Sequence, residues 1–254
     1  MTNNKTKYNL SELQEKARSG DHQNQYELGR LLIEGEQTKK NTEEGIKWLT
    51  LSAEQDNADA LLLLGEQSVK GEGVPKDLKS AFTYYMRASK LEHPDANYKL
   101  GLFLIYNASK MNEGEALVRK AATNNHANAQ YELALLYLNG VKSTNDGDSI
   151  SADYQEAIRW FEKAASNGHL QSYNELGYLY AKGSSDNTVN IKIRPNEAEA
   201  IKNWTKAAEH GDAEAEYNLA IMYAKKAVGL WQSSAEKGVR KSQYMLKLVT
   251  NFEW

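Results

Sequence analysis

A sequence segment that recurs along the chain constrains its fold more than any other feature. Each copy ends in a turn residue, and a Gly or Ala follows nine positions after each of the first six turn residues. The turn residues are Gly20, Asp56, Glu92, Asn125, Gly168, Gly211 and Gly238, at successive spacings of 36, 36, 33, 43, 43 and 27 residues. A constant offset within a variable period indicates that the helices keep their length while one loop absorbs the differences. We therefore expect a solenoid of stacked helix pairs.

Each repeat contains two amphipathic helices, here named helix A and helix B. In helix A, apolar residues such as Ala129, Leu133 and Leu136 recur at spacings of three and four, and helix B repeats this at Trp160 and Ala164. Such a stripe is buried only when a neighbouring helix covers it, so stacking is obligatory. Most turn residues are Gly, Asn or Asp, which tolerate the left-handed backbone that ends a helix. These patterns predict an all-α fold of antiparallel helix pairs with about six repeats.

Composition and charge argue against several other classes of protein. The chain has 254 residues, of which 41% are hydrophobic and 26% charged, as in a folded soluble protein. A net charge of -3 argues against nucleic acid as the main ligand. The absence of Cys excludes disulfides and thiolate zinc sites, and no apolar run is long enough for a membrane helix. The N-terminus lacks an apolar signal segment, so we expect a cytoplasmic protein, or a periplasmic one if a signal sequence has been removed.

Two motifs connect the repeats to a known family. Residues 71–77 read GEGVPKD and residues 157–168 read AIRWFEKAASNG. They resemble the Gly-x-Gly-Val-x-x-Asp and Ala-x-x-Trp-x-x-x-Ala-Ala-x-x-Gly patterns of the Sel1-like repeat family, a relative of the tetratricopeptide repeat. The resemblance implies a right-handed superhelix, with residues 8–254 as a single solenoid after a flexible segment at residues 1–7.

Two repeats depart from the family pattern. The third has Asn107–Asn112 in place of the Gly-x-Gly-Val loop. The sixth is shortened to 27 residues, so its two helices either meet in a tight turn at Lys225 and Lys226 or merge. At the two ends of the solenoid we expect capping helices, at Leu10–Arg18 and at Lys241–Phe252.

The resemblance also implies a concave groove lined by helix A, with the residue after the small Gly or Ala facing the groove. The candidate partner-binding residues at this position are Arg30, Glu66, Leu102, Leu135, Tyr178 and Ile221. They predict a groove that is charged at its N-terminal end and apolar in its C-terminal two thirds. We expect a monomeric scaffold that binds another protein, either a regulatory adaptor or a bacterial immunity protein that neutralises an effector toxin.

Two insertions and the C-terminus supply further candidates. Val141–Asp153 and Ser184–Asn196 lengthen their repeats at the same position, so the two loops are expected to project side by side. The loop and terminus candidates for partner contact are Asp146, Asp148, Lys192, Arg194 and Trp254. Trp254 either packs on the C-terminal capping helix or anchors a partner, because Trp is enriched at binding hot spots.

Catalytic, metal and cofactor sites are not predicted by any pattern in the sequence. The five His residues fall at turn positions of different repeats, which separates them along a solenoid. One alternative is a peptidoglycan- or β-lactam-binding enzyme, because residues 234–237 (SAEK) and 185–187 (SDN) match two motifs of penicillin-binding enzymes. The two motifs stand in reversed order and no Lys-Thr-Gly follows them. We therefore expect a protein that is not an enzyme and that uses no metal or cofactor.

Overall fold

A computed structural model describes residues 9–108, 110–142, 149–183 and 194–250. Within these ranges the chain is built of helices and one short pair of strands, which confirms the prediction of an all-α solenoid. The chain divides into two compact units, residues 1–151 and 152–254. A single continuous solenoid over residues 8–254 stays a prediction, and residues 1–7 lie outside the described residues.

The N-terminal unit contains a capping helix, three A–B helix pairs and the helix A of the fourth repeat. Its helices are α1 (Leu10–Arg18), α2 (His22–Glu34), α3 (Thr42–Glu54), α4 (Ala58–Lys70), α5 (Leu78–Lys90), α6 (Pro94–Asn107), α7 (Met111–Thr123) and α8 (Ala127–Asn139). After α8, strands β1 (Val141–Lys142) and β2 (Ser149–Ile150) pair antiparallel within the first predicted insertion. Helix α1 has the bounds expected for the N-terminal cap.

The C-terminal unit begins with the helix B of the fourth repeat. Its helices are α9 (Tyr154–Ser166), α10 (Gln171–Lys182), α11 (Glu197–Glu209), α12 (Ala213–Glu236) and α13 (Arg240–Thr250). Helices α10 and α11 form the A–B pair of the fifth repeat. Helix α13 corresponds to the C-terminal capping helix that was expected over residues 241–252.

All seven predicted turn residues adopt the left-handed backbone. The φ angle is 55° at Asp56, 63° at Glu92 and 62° at Asn125, and it lies between 85° and 99° at the four glycines. At Glu92 the strained conformation is stabilised by two turn hydrogen bonds, from Glu92 N–H to Ser89 O and from His93 N–H to Ala88 O. The turn geometry therefore overrides the residue preference at this one position.

At five of the seven turns, the residue after the turn caps the helix A that follows. The side chains of Asp21, Asn57, His93, His126 and Asp212 each accept a hydrogen bond from the backbone N–H three residues further on. In the two histidines the acceptor is Nδ1, so the neutral ring carries its proton on Nε2. That Nε2 donates to Asp59 (3.1 Å) from His93 and to Asp95 (2.6 Å) from His126. These histidines therefore stabilise the turns and link successive A helices.

Helix A and helix B of one repeat approach each other most closely at the small residue of helix A. A Cβ placed on Gly29 would lie 2.9 Å from both Gly45 O and the Leu49 side chain, and one on Gly45 would lie 2.7 Å from Ile33. Gly101 stands in the same relation to Gly114 and Val118, in repeat 3. Positions rise along helix A as they fall along helix B, so the pair is antiparallel. Backbone contact between the helices is possible only because these residues lack a side chain.

The sixth repeat differs from the others because its two helices have merged. Helix α12 runs without a break from Ala213 to Glu236 and contains both Lys225 and Lys226, where the sequence allowed either a tight turn or a merger. Among its residues only Ala215 is buried. Trp231, which the repeat pattern places in the core, is half-exposed for the same reason.

We predict opposite stability effects for two Gly→Ala substitutions. Gly101→Ala places a Cβ 2.7 Å from the carbonyl oxygen of Gly114, which cannot move aside, so the free energy of unfolding should fall by about 1–3 kcal/mol. Gly229→Ala, in the exposed part of α12, meets no heavy atom within 4 Å and should raise it by about 0.5–1 kcal/mol. Urea unfolding followed by circular dichroism measures both. Equal effects of the two substitutions would contradict close A–B packing.

Candidate functional site

The candidate site is a surface of the N-terminal unit that we call the A-face. It comprises the residues 3, 7, 10 and 14 positions after each turn residue on helices α2, α4, α6 and α8, which share one side of each helix. Contacts between successive A helices run along this surface: Lys99 Nζ lies 3.3 Å from Glu66 Oε1, and His93 reaches Asp59. The A-face is therefore continuous from α4 to α6.

Carboxylates outnumber basic groups on the A-face. The acidic residues at these positions are Glu27, Glu34, Asp59, Glu66, Asp95 and Glu132, and the basic residues are Arg30, Lys70 and Lys99. The hydrogen bond from His126 and the nearby ammonium group of Lys99 hold the pKa of the Asp95 carboxyl below its usual range. The surface as a whole carries a negative charge, although the net charge of the chain is small.

At the N-terminal end of the A-face, three carboxylates surround a single guanidinium. Arg30 donates to Glu27 Oε2 (3.1 and 3.2 Å) and to Glu34 Oε2 (2.5 Å), and Glu36 lies 3.7 Å away. One positive charge cannot balance three negative ones. Arg30 is thus occupied within its own chain, and the cluster presents excess negative charge to solvent.

Glu132 on α8 is the most unusual group of the A-face. It is half-buried, and burial raises the pKa of its carboxyl. No cation in the described part of the chain forms an ion pair with it, whereas Glu66 is paired with Lys99. Tyr98 and Tyr106 lie beside Glu132, and burial together with this carboxylate raises the pKa of both phenols. The Tyr106 side chain is 62% exposed. Glu132 is thus a poorly solvated negative charge next to exposed aromatic surface.

The predicted apolar groove residues of the N-terminal unit lie among these polar groups. Leu102 and Leu135 are both half-buried on the A-face. One helical turn away on the same face stand Lys99, before Leu102, and Glu132, before Leu135. This part of the surface is therefore a mixture of apolar and charged groups. Partner binding by Arg30, Glu66, Leu102 and Leu135 stays a prediction.

In the C-terminal unit, Tyr178 is the predicted groove residue with the best-defined surroundings. Its hydroxyl donates to Glu214 Oε1 at 2.7 Å, and its ring packs edge-on against Trp204, with centroids 5.6 Å apart. Trp204 is buried directly against Gly177, the small residue of helix α10. Ile221 is half-buried on α12. Partner binding by these two residues also stays a prediction.

Of the five loop and terminus candidates, only one lies within the described residues. Asp146, Asp148, Lys192 and Trp254 lie outside the described residues, as does the 185–187 motif. Arg194 is described and exposed, in the segment that precedes α11. Ser234 is half-buried on α12, and Lys237 is exposed at the C-terminal cap of the same helix.

The described ranges contain neither a metal-binding cluster nor a membrane-spanning helix. No group of three or more His, Asp or Glu side chains in the described ranges is placed to hold a metal ion. None of the described helices is both long and apolar enough to cross a membrane. His169 contacts the Ser172 hydroxyl, and burial lowers the pKa of its ring.

The position seven residues after the turn was missed in the sequence analysis. It holds Glu27, Lys99 and Glu132, which contribute much of the charge of the A-face. Helical spacing could have identified these residues, because this position precedes the predicted groove position by three residues and must share its face. Burial of Glu132 could not be predicted in this way, since it depends on neighbouring helices.

Comparison with protein families finds one repeated match. A family model described as Sel1 repeat matches residues 25–57, 58–93, 127–169, 170–212 and 213–239. The matched segments leave out residues 94–126, the repeat in which Asn107–Asn112 replaces the usual loop. Family matches and helix pairs therefore coincide along most of the chain.

Similar proteins include one curated relative and two solved structures. A sel1-like repeat-containing protein of Acanthamoeba polyphaga mimivirus is 46% identical over 46 residues, which is 18% of this chain and 8% of that protein. A protective antigen present in uropathogenic Escherichia coli strains, displaying an SLR fold, is 29% identical with a TM-score of 0.75 over 96% of this chain and 52% of that chain. An immunity protein from Pseudomonas aeruginosa is 17% identical with a TM-score of 0.52, over 79% and 72% of the two chains. The chain thus spans about half the length of the Escherichia coli protein and a small part of the viral one.

We predict that Glu132→Gln stabilises the fold at neutral pH. Because burial raises the folded-state pKa of Glu132, its ionisation opposes folding, and this penalty appears as pH rises through the unfolded and folded pKa values. The variant lacks the ionisable group. Its urea midpoint should exceed that of the unmodified protein at pH 7, and the gain should vanish at a pH below both pKa values. A gain of equal size at both pH values would show that the effect is not due to ionisation.

Proposed function

The chain belongs to the Sel1 repeat family, and from this premise we propose that it is a non-enzymatic scaffold that binds a partner protein through its A-face. The observation that carries the proposal is Glu132, a half-buried carboxylate with a raised pKa, without a described cation and beside exposed aromatic surface. Such a group costs stability in the free protein, which is typical of a residue kept for binding.

The chemistry of the A-face indicates a basic partner segment. A guanidinium placed at Glu132 would form a charge-assisted, bidentate hydrogen bond and would remove the electrostatic penalty of the buried carboxylate. The exposed ring of Tyr106 can stack on the same cation. The remaining carboxylates would steer a positively charged segment to the surface and would repel nucleic acid.

The scaffold proposal has a more specific form, which is an immunity role. The chain shares its fold with an immunity protein from Pseudomonas aeruginosa, and we extend the proposal to a partner that is a toxic effector. A regulatory adaptor would use the A-face in the same way. The two roles differ in what binding does to the partner: an immunity protein suppresses the partner's toxicity when both are expressed in one cell, and an adaptor does not.

Substitution of Glu132 separates an effect on partner affinity from an effect on the stability of the fold. We predict that Glu132→Gln weakens partner binding although it stabilises the fold, and that Glu132→Lys weakens binding by more than about tenfold. Partners are captured on the immobilised full chain from a lysate of its native host at about 50 mM salt, where surface charges are little screened, and are identified by mass spectrometry. The affinity of each captured partner is then measured for both variants.

The matched control is Glu54→Gln, which removes an exposed carboxylate from helix B of the first repeat. It should change neither affinity nor stability. The captured partner should contain a segment rich in Arg or Lys, and its binding should weaken as salt rises. Affinities that are unchanged in Glu132→Gln and Glu132→Lys would refute the A-face as the binding site.

A further inference from the structure

Helix α12 leaves uncovered a surface that the other repeats bury. In repeats 1, 2, 3 and 5 the most extensive packing is between helix A and helix B of the same repeat. In repeat 6 these two helices are the two halves of one continuous helix, joined at Lys225 and Lys226. Helix α12 packs on α11 and on α13, but its two halves cannot pack on each other.

The helix A half of α12 has exposed residues at positions that are buried in the first repeat. Ala220 occupies the position of the small residue that contacts helix B, and Ala224 occupies the position of Ile33 in the first repeat. Both alanines are exposed, whereas Gly29 and Ile33 are buried. The uncovered side of this half is therefore the side that receives a helix B elsewhere in the chain.

The helix B half of α12 is likewise more exposed than helix B of the first repeat. Ala227, Trp231 and Ser234 occupy the positions of Gly45, Leu49 and Ser52. The first-repeat residues are buried, with Leu49 and Ser52 at 0% exposure, but their counterparts in α12 are all half-exposed. This half therefore lacks the helix A that it is built to contact.

A shallow groove between α12 and α13 borders the uncovered side of α12 at Ala224. It has a volume of about 350 Å³, and Ile221, Ala224, Val228 and Val249 are among the residues that line it. Exposed Tyr223 and Leu230 border the uncovered side of α12 at its other edge, away from the groove. A soluble chain rarely leaves a surface of this kind without a partner.

We propose that a second copy of this chain fills the surface, by reciprocal exchange of the helix B half of α12. Two α12 helices would lie side by side and antiparallel. The helix A half of each copy would then contact the helix B half of the other, so that two A–B pairs form. Each copy supplies what the other lacks, and the assembly closes as a dimer, in place of the monomer that the sequence analysis favoured.

The register of the repeat supports this arrangement. In the first repeat Gly29 meets Leu49 and Ile33 meets Gly45. The same register in α12 pairs Ala220 with Trp231 and Ala224 with Ala227, and both pairs are centred on the bond between Lys225 and Lys226. A twofold axis at that bond brings every pair together at once. The antiparallel arrangement also places the acidic first turn of one α12 beside Lys237 of the other copy.

The linker explains why the contact would form between copies and not within one. Repeats 1 and 2 turn from helix A to helix B through Gly35 and Gly71, both in the left-handed conformation. Repeat 6 has no Gly at this point, and its two lysines favour helix. A turn there would break several backbone hydrogen bonds, whereas a second copy provides the same contacts with α12 intact. The lysine ammonium groups can extend into solvent while their stems cover the helix pair.

Cysteine cross-linking tests the contact directly, because the chain has no Cys of its own. Ala220→Cys and Trp231→Cys are introduced into two separately tagged full-length chains, which are mixed by unfolding and refolding together and then oxidised. We expect a disulfide between the two chains, seen as a doubled mass on a non-reducing gel. Ala220→Cys paired with Lys226→Cys, at a position that the register does not match, is the control and should not cross-link.

The double variant Ala220→Cys/Trp231→Cys in a single chain distinguishes the remaining arrangements. The two positions are about 16 Å apart along a straight helix, too far for a disulfide within it. A cross-linked dimer supports the exchange. An internal disulfide in a monomer would show that the helices pair within one chain and would overturn the proposal, as would the absence of any disulfide.

A linker insertion provides the second test, with light scattering of the full chain as the readout. The unmodified protein should have twice the 28.6 kDa mass of one chain. Insertion of GEGVPKD, the chain's own residues 71–77, between Lys225 and Lys226 should allow A–B pairing within one chain and return the mass to that of a monomer. Insertion of seven alanines at the same place continues the helix. No hairpin can then form within one chain, so the mass should not fall to that of a monomer. A monomeric unmodified protein, or a dimer that survives the GEGVPKD insertion, would refute the exchange.

The dimer and the A-face involve different helices, so each proposal can fail without the other. Failure of the cross-link would leave partner capture and its dependence on Glu132 unchanged. Loss of partner binding in Glu132→Gln would leave the mass of the assembly unchanged.

Discussion

The close approach of helix A to helix B at a small residue is the contact on which the rest of the structure depends. A repeat of two short helices has too little apolar surface to fold alone, so each helix must be covered on two sides by its neighbours. Where Gly29 or Gly101 lets the backbones touch, one side of helix A is fully buried. The turn residues and the capping residues that follow them then place the next helix A against helix B.

This use of the two buried sides decides where a binding surface can lie. The third side of each helix A is not needed for helix packing, and in the N-terminal unit it carries the carboxylates and Tyr106 of the A-face. His93 and His126 connect the two roles, because one ring nitrogen caps a helix while the other binds an aspartate of the A-face. The same side chains therefore stabilise the solenoid and fix part of its surface charge.

The length of the A–B linker is a second variable with large consequences. A linker with a left-handed Gly folds the repeat back on itself, whereas the shortened sixth repeat continues as one helix and exposes both halves of its pairing surface. The apolar residues of the pairing surface are the same in kind in both cases. What differs is whether their partner can come from the same chain, and this is the physical basis for the proposed exchange between copies.

The sequence by itself determined the helix pairs, all seven turns, the capping helices and the position of the small residues. These features depend on local backbone preference and on periodicity within a single helix, both of which can be read from consecutive residues. Tertiary structure decided the burial and raised pKa of Glu132, the exposure of Tyr106 and the left-handed conformation of Glu92. It also decided between the turn and the merger at Lys225 and Lys226. Burial and ionisation depend on residues from neighbouring helices some thirty positions away, and the choice at the two lysines depends on the balance between one continuous helix and a packed pair, so no local pattern can settle them.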